Sequence, residues 1–160
     1  MAWLRLSTNT LSSTNTNIST GAITAKKFLF GISNLINQAG IASAVREQMN
    51  NDTSSNYAVR RSINGAVDST STSATEIDCG VGVALDRLVI CYTINIATEE
   101  KLQIYFETGN DVTGAGTAPY RVEQTPKWVN TSDQITEIDF NTSGSGIWQI
   151  GTNVMIMGTD

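Results

Sequence analysis

Leu88-Val89-Ile90-Cys91-Tyr92-Thr93-Ile94-Asn95-Ile96 is followed, after Ala97-Thr98-Glu99-Glu100, by Lys101-Leu102-Gln103-Ile104-Tyr105-Phe106-Glu107-Thr108. Leu88, Ile90, Tyr92, Ile94 and Ile96 share one face of an extended chain, and Leu102, Ile104 and Phe106 share one face of the next. Val89, Cys91, Thr93 and Asn95 occupy the opposite face of the first run, and Lys101, Gln103, Tyr105 and Glu107 that of the second. The period of two and the short polar connection predict an antiparallel hairpin. Apolar residues on much of both faces place its first strand in the middle of a covered sheet, while the second strand has one wet face. Ile90, Ile94, Ile104 and Phe106 are thus expected in the core.

Outward from this hairpin the signals weaken but keep the same period. Alternating apolar residues mark strands within 27–36, 56–64, 134–141 and 147–157, each bounded by Gly, Asn, Asp or Ser. Residues 41–49 fit a helix through Ile41, Val45 and Met49, or a strand through Val45, Glu47 and Met49; their shortness and their neighbours favour the strand. The composition agrees, since 21 Thr, 15 Ser and 14 Asn make up 50 of the 160 residues. Thr fits a pleated surface, and Asn and Ser close turns. The expected architecture is all-β: an antiparallel β-sandwich, jelly-roll-like, of about eight strands with an extended N-terminal arm. Residues 1–24 form the arm and 25–160 a single sandwich domain, a length that supports one sizeable core.

Two stretches carry few apolar anchors, 6–24 (LSTNTLSSTNTNISTGAIT) and 68–75 (DSTSTSAT). The second reads as a long loop. The first follows the apolar cluster Trp3, Leu4 and Leu6, which either packs on its own domain or finds a partner; the expectation is an assembly arm that carries these three residues across a subunit boundary.

The chain has no His and only 16% charged residues, which removes the commonest proton carrier and metal ligand. No cofactor and no metal is expected, and no enzyme. A net charge of −5 with only two basic pairs, Lys26-Lys27 and Arg60-Arg61, argues against nucleic acid as a partner. Nothing approaches the roughly 20 apolar residues of a membrane-spanning helix, nor the apolar stretch of a secretory leader after Met1, so no membrane partner is expected. Cys79 and Cys91 read as free and buried, with a disulfide between neighbouring strands as the alternative. Asp52, Asp78, Asp86 and Asp111 follow no calcium-loop spacing and read as turn caps. Residues 109–119 are Gly-rich without a following helix or a Gly-Lys-Ser/Thr ending, hence a surface loop rather than a phosphate cradle. The four Asn-x-Ser/Thr sequons match the number, about 3, that this composition gives by chance.

One constellation has catalytic geometry on paper. Glu137 and Asp139, two apart on a strand, stand roughly 6 to 7 Å from each other, which overlaps the spacing of an inverting glycosidase pair. With Tyr120 and Trp128 as stacking rings they would form a glycan-contact site, the mark of a carbohydrate-binding module or glycosidase fragment. A wet strand face yields the same pair without any chemistry.

The run Asn50-Asn51-Asp52-Thr53-Ser54-Ser55-Asn56-Tyr57, with Arg60-Arg61, Asn64-Gly65, Glu99-Glu100-Lys101-Leu102, Gly114-Ala115-Gly116, Ala118-Pro119, Arg121, Glu123, Lys127-Trp128 and Gln134-Ile135, resembles small structural proteins of marine tailed bacteriophages. The likeness covers the chain from about Ile23 onward. It implies a virion structural protein made in the host cytoplasm and located in the virion: a capsid decoration protein that stabilises the shell or, alternatively, a tail or head fibre receptor-binding knob. The partners it implies are copies of itself and the major capsid or another virion protein; the reaching N-terminal arm sets the expected homo-oligomer as a trimer.

Overall fold

The computed structural model describes residues 2–80, 82–109 and 114–160. Among them are twelve strands and no helix: β1 (Leu4–Thr10), β2 (Asn17–Ser19), β3 (Phe28–Leu35), β4 (Val45–Met49), β5 (Tyr57–Ile63), β6 (Ser69–Ala74), β7 (Ile77–Asp78), β8 (Arg87–Ile94), β9 (Lys101–Gly109), β10 (Tyr120–Trp128), β11 (Ile138–Thr142) and β12 (Asn153–Thr159). They form two antiparallel sheets, one in the order β1-β12-β3-β8-β9-β10-β5-β6 and one in the order β2-β11-β4-β7. The expected sandwich is the fold. Its division is unequal, eight strands against four, so the smaller sheet covers only part of the larger.

Between the sheets lie Leu29, Leu35, Val89, Cys91, Tyr105, Trp128, Val154 and Ile156 from the large sheet. Ile18, Val45, Met49, Ile77, Ile138 and Phe140 meet them from the small one. Packing here is close. A Cβ at position 31 would stand 2.6 Å from the sulfur of Cys91, its partner on the neighbouring strand β8, so glycine fits there where a side chain would have to displace it. Trp148 is fully buried and bridges Asn15 and Asn37, tying the N-terminal segment to the chain beyond β3. Asn64-Gly65 turns the chain after β5, both residues at positive φ and Ala66 N–H donating to Ile63 O at 2.9 Å. That is the geometry an Asn-Gly turn supplies at least strain.

The strand within 41–49 is β4, beginning at Val45, with Ser43 bridged to Val83. Within the expected arm 1–24, the described residues 2–24 are not a free arm. β1 pairs with β12 along the large sheet, and β2 pairs with β11 at the edge of the small one. The backbone supplies this attachment, which low side-chain complexity does not prevent, and Leu6, Leu11, Ile18 and Ile23 anchor it on the core. Residues 68–75 are likewise no loop: β6 pairs with β5 as the outer edge of the large sheet, its side chains largely exposed. Short polar strands at the rim blunt edge-to-edge pairing.

The hairpin forms, with Ile90 opposite Phe106 and Tyr92 opposite Ile104, but its first strand ends at Ile94 rather than Ile96 and it faces the other way. Arg87, Val89, Cys91 and Thr93 point inward with Lys101, Gln103, Tyr105 and Glu107, whereas Ile94, Ile104 and Phe106 are exposed and Ile90 is half-buried. The polar face was the better fit to the interior because its charges and amides have partners there, as described below. Two leucine truncations separate the faces: Leu29→Ala, at a site 2% exposed, is expected to cost about 2 to 5 kcal/mol. Leu102→Ala, at a site 52% exposed, is expected to cost under about 1 kcal/mol. Urea unfolding at submicromolar protein measures both, and equal losses would mean the hairpin is covered on its apolar side.

Candidate association surface

The outward face of the large sheet is built from aligned rows. Met157, Phe30, Tyr92 and Ile104 stand opposite one another across β12, β3, β8 and β9; Met155, Ile32, Ile90 and Phe106 form the next row. Phe28 lies opposite Ile94, with Leu102 beyond it on β9. Trp3, just ahead of β1, sets its ring edge-on to Phe30 at 6.4 Å, and Phe30 lies 4.8 Å from the Tyr92 ring. The result is an apolar surface four strands wide. One hollow of about 710 Å³ opens among Trp3, Phe28, Tyr92, Ile94, Leu102 and Ile104, and a second of about 440 Å³ among Leu88, Ile90, Phe106 and Arg121. The face turns polar at β10, where Arg121, Glu123, Thr125 and Lys127 take the outward positions.

On the reverse side of the same strands lies the polar interior. Arg87 Nε is 3.0 Å from Glu107 Oε1, both side chains out of water, and the Tyr105 hydroxyl donates to Glu107 Oε2 at 2.9 Å. Arg87 Nη2 also donates to the carbonyls of Ser43 and Val83. Gln103 Nε2 donates to Glu47 Oε1 at 2.9 Å and to Thr93 Oγ1 at 3.2 Å, which links the large sheet to β4. Lys101 closes the hairpin end by donating through Nζ to the carbonyls of Ala97, Glu99 and Asn130. Burial pushes the Glu47 carboxyl up to about 7, against the pull of its bond from Gln103. Burial raises Glu107 too, opposed by Arg87 and Tyr105. The Cys79 and Cys91 thiols are buried, unbridged and raised, chiefly by desolvation.

The residues singled out for a glycan site do not make one. Tyr120 and Trp128 are 6% and 1% exposed and offer no ring face for stacking. Both lie on alternate inward positions of β10, where Trp128 stacks on Tyr57 and donates from Nε1 to Asp52 Oδ2 at 2.7 Å. Glu137 and Asp139 sit at and beside β11, held by structural bonds: Ser19 and Asn51 donate to Glu137, and Asn17 donates to Asp139. Burial raises the Asp139 carboxyl. The cluster Trp3, Leu4 and Leu6 divides, Trp3 joining the apolar face, Leu4 exposed at the strand start and Leu6 packing on the core.

Asp52 accepts from Ser54 N–H as a turn cap, Asp78 pairs with Arg61 and Arg46, and Asp86 accepts from Asn37 N–H. Asp111 lies outside the described residues. Among the described residues no three acidic or cysteine side chains gather as metal ligands, and no helix could cross a membrane. Lys26 and Arg60 of the basic pairs are bonded to Asp160 and Asp68. Ile90, Ile94, Ile104 and Phe106 are visible in the sequence as apolar strand positions but on the wrong side of the sheet, while Trp3 reads there as part of an arm rather than of this face. Comparison with protein-family models, curated proteins and solved structures gives no significant match.

The buried carboxyls give a pH dependence of unusual sign. A group whose folded pKa lies above its unfolded value of 4.5 keeps its proton after the unfolded chain has lost it, so stability falls as pH rises from about 4.5 to about 7 and the penalty persists above. Glu47→Gln removes this titration while keeping shape and an acceptor for Gln103. It is expected to match the wild type near pH 5 and to exceed it at pH 8 by up to about 3 kcal/mol, read from urea midpoints. A variant weaker than wild type at both pH values would show that Glu47 is needed as an anion.

Proposed function

We propose that the protein is a non-catalytic structural protein whose work is association, and that it serves in a virus particle as a decoration protein clipping neighbouring shell subunits. One observation carries the first part: the outer face of the large sheet presents its apolar residues to solvent while the polar face of the same strands is enclosed. A face of this kind on a stable sandwich marks a surface meant to be covered. The polar edge strands β1 and β6 direct association to the face rather than to the sheet's rim. The virion setting is supported by the sequence resemblance, and the expected partners are copies of the chain and the shell protein.

Antibody raised against the purified chain is expected to label intact particles of the virus whose genome carries the coding sequence. Purified particles that contain none of the chain by mass spectrometry would overturn the virion setting. The double substitution Tyr92→Glu with Ile104→Glu is expected to leave the circular dichroism of the fold intact and to reduce particle attachment at least tenfold. Undiminished attachment would move the working surface elsewhere.

A further inference from the structure

Resting on the reading of this face as an association surface, we infer that it is covered by a second copy of the same chain, packed face to face about a two-fold axis. Size is the first reason. Trp3, Phe28, Leu88, Tyr92, Ile94, Leu102, Ile104 and Phe106 are each between 37 and 53% exposed. At roughly 200 Å² for a fully exposed large side chain, these eight present on the order of 700 Å². That exceeds the ~300 to 600 Å² of the largest apolar patch on a typical monomer and approaches the ~800 Å² that each partner contributes to a stable interface.

Shape is the second reason. An isologous contact needs projections and hollows on one and the same face, because residue i must meet j while j meets i. Tyr92 is the most exposed residue of the face and borders the 710 Å³ hollow beside it. Two sheet faces packed at about 10 Å interdigitate side chains in this way.

Charge selects the occupant. The rim carries both signs, mostly paired: Lys127 to Glu100 at 2.7 Å, Arg60 to Asp68 at 3.4 Å and Arg121 to Glu123 at 3.6 Å, with Arg5, opposite Met157 on β1, as a single cation outside these pairs. A rim of one sign would repel its own copy, and this rim does not. A lipid surface would call for a belt of unpaired Lys and Arg, which a chain of net charge −5 with these cations paired does not provide. Face-to-face contact closes at two subunits. The trimer expected from a reaching arm loses its basis, since that segment is paired into both sheets.

Sedimentation equilibrium of the full chain between about 1 and 100 µM is the test, a range in which specific interfaces of this size associate. The expected result is twice the chain mass, shifted to monomer by Tyr92→Glu with at least a tenfold weaker association, and retained by Tyr92→Phe and by Gln48→Glu on the outer side of the small sheet. Should Tyr92→Glu fail to fold, Leu102→Ser makes the same comparison. A wild-type monomer at 100 µM, a trimer, or a dimer indifferent to both substitutions would overturn the inference. So would flotation of the chain with neutral phosphatidylcholine vesicles, abolished by Tyr92→Glu. A monomer that still attaches to particles through this face overturns the second copy and spares the association reading; a dimer through this face that is missing from particles overturns only the virion setting.

Discussion

Arg87 and Glu107 meet at 3.0 Å where water does not reach, and the orientation of the whole large sheet follows from keeping them there. Removing one member of such a pair strands the other charge at a cost of about 3 to 5 kcal/mol. The pair is not isolated: Tyr105 holds the second carboxylate oxygen, and the carbonyls of Ser43 and Val83 hold the guanidinium. A little further along, Gln103 joins Glu47 on the opposite sheet. Together these side chains form a polar layer across the sandwich, and it fits only if β8 and β9 turn their polar positions inward.

Once that layer is inside, alternation leaves no choice about the remainder. Every second residue of β3, β8 and β9 must point out, and apart from Asn34 and Thr108 at one end those positions hold Phe, Ile, Leu and Tyr. The apolar face is therefore the geometric complement of the buried polar network, and the proposed association would cover surface that the fold leaves open. The same arrangement accounts for the buried Glu47, whose carboxyl burial raises.

Much of this was legible in the sequence, and the failures have specific causes. Most strand positions follow from period-two alternation, which is local; β10 does not, because Gln124 and Pro126 interrupt its apolar period. The side that a strand buries is not local when both sides carry apolar groups, as Val89 and Cys91 do opposite Ile90 and Tyr92. Lys101, Gln103 and Glu107 looked wet because their partners, Asn130, Glu47 and Arg87, come from other segments. The Thr- and Asn-rich segments read as an arm and a loop in the sequence because edge strands are held by backbone bonds, which composition does not report. Tyr120 and Trp128 were legible as aromatic, and their inward positions on β10 follow from Val122 and Gln124 sharing that face.

The orientation of the hairpin is the claim on which the others stand, and the native thiols test it without any substitution. Cys91 shares the inward face with Val89 and Thr93, and Cys79 lies beside Glu47 at 4.0 Å. Titration of the folded protein with Ellman's reagent is predicted to leave both thiols unreacted, and addition of denaturant to release two. One thiol reacting in the native state at the rate of an exposed cysteine would place Cys91 on the outer face, and the polar layer with it.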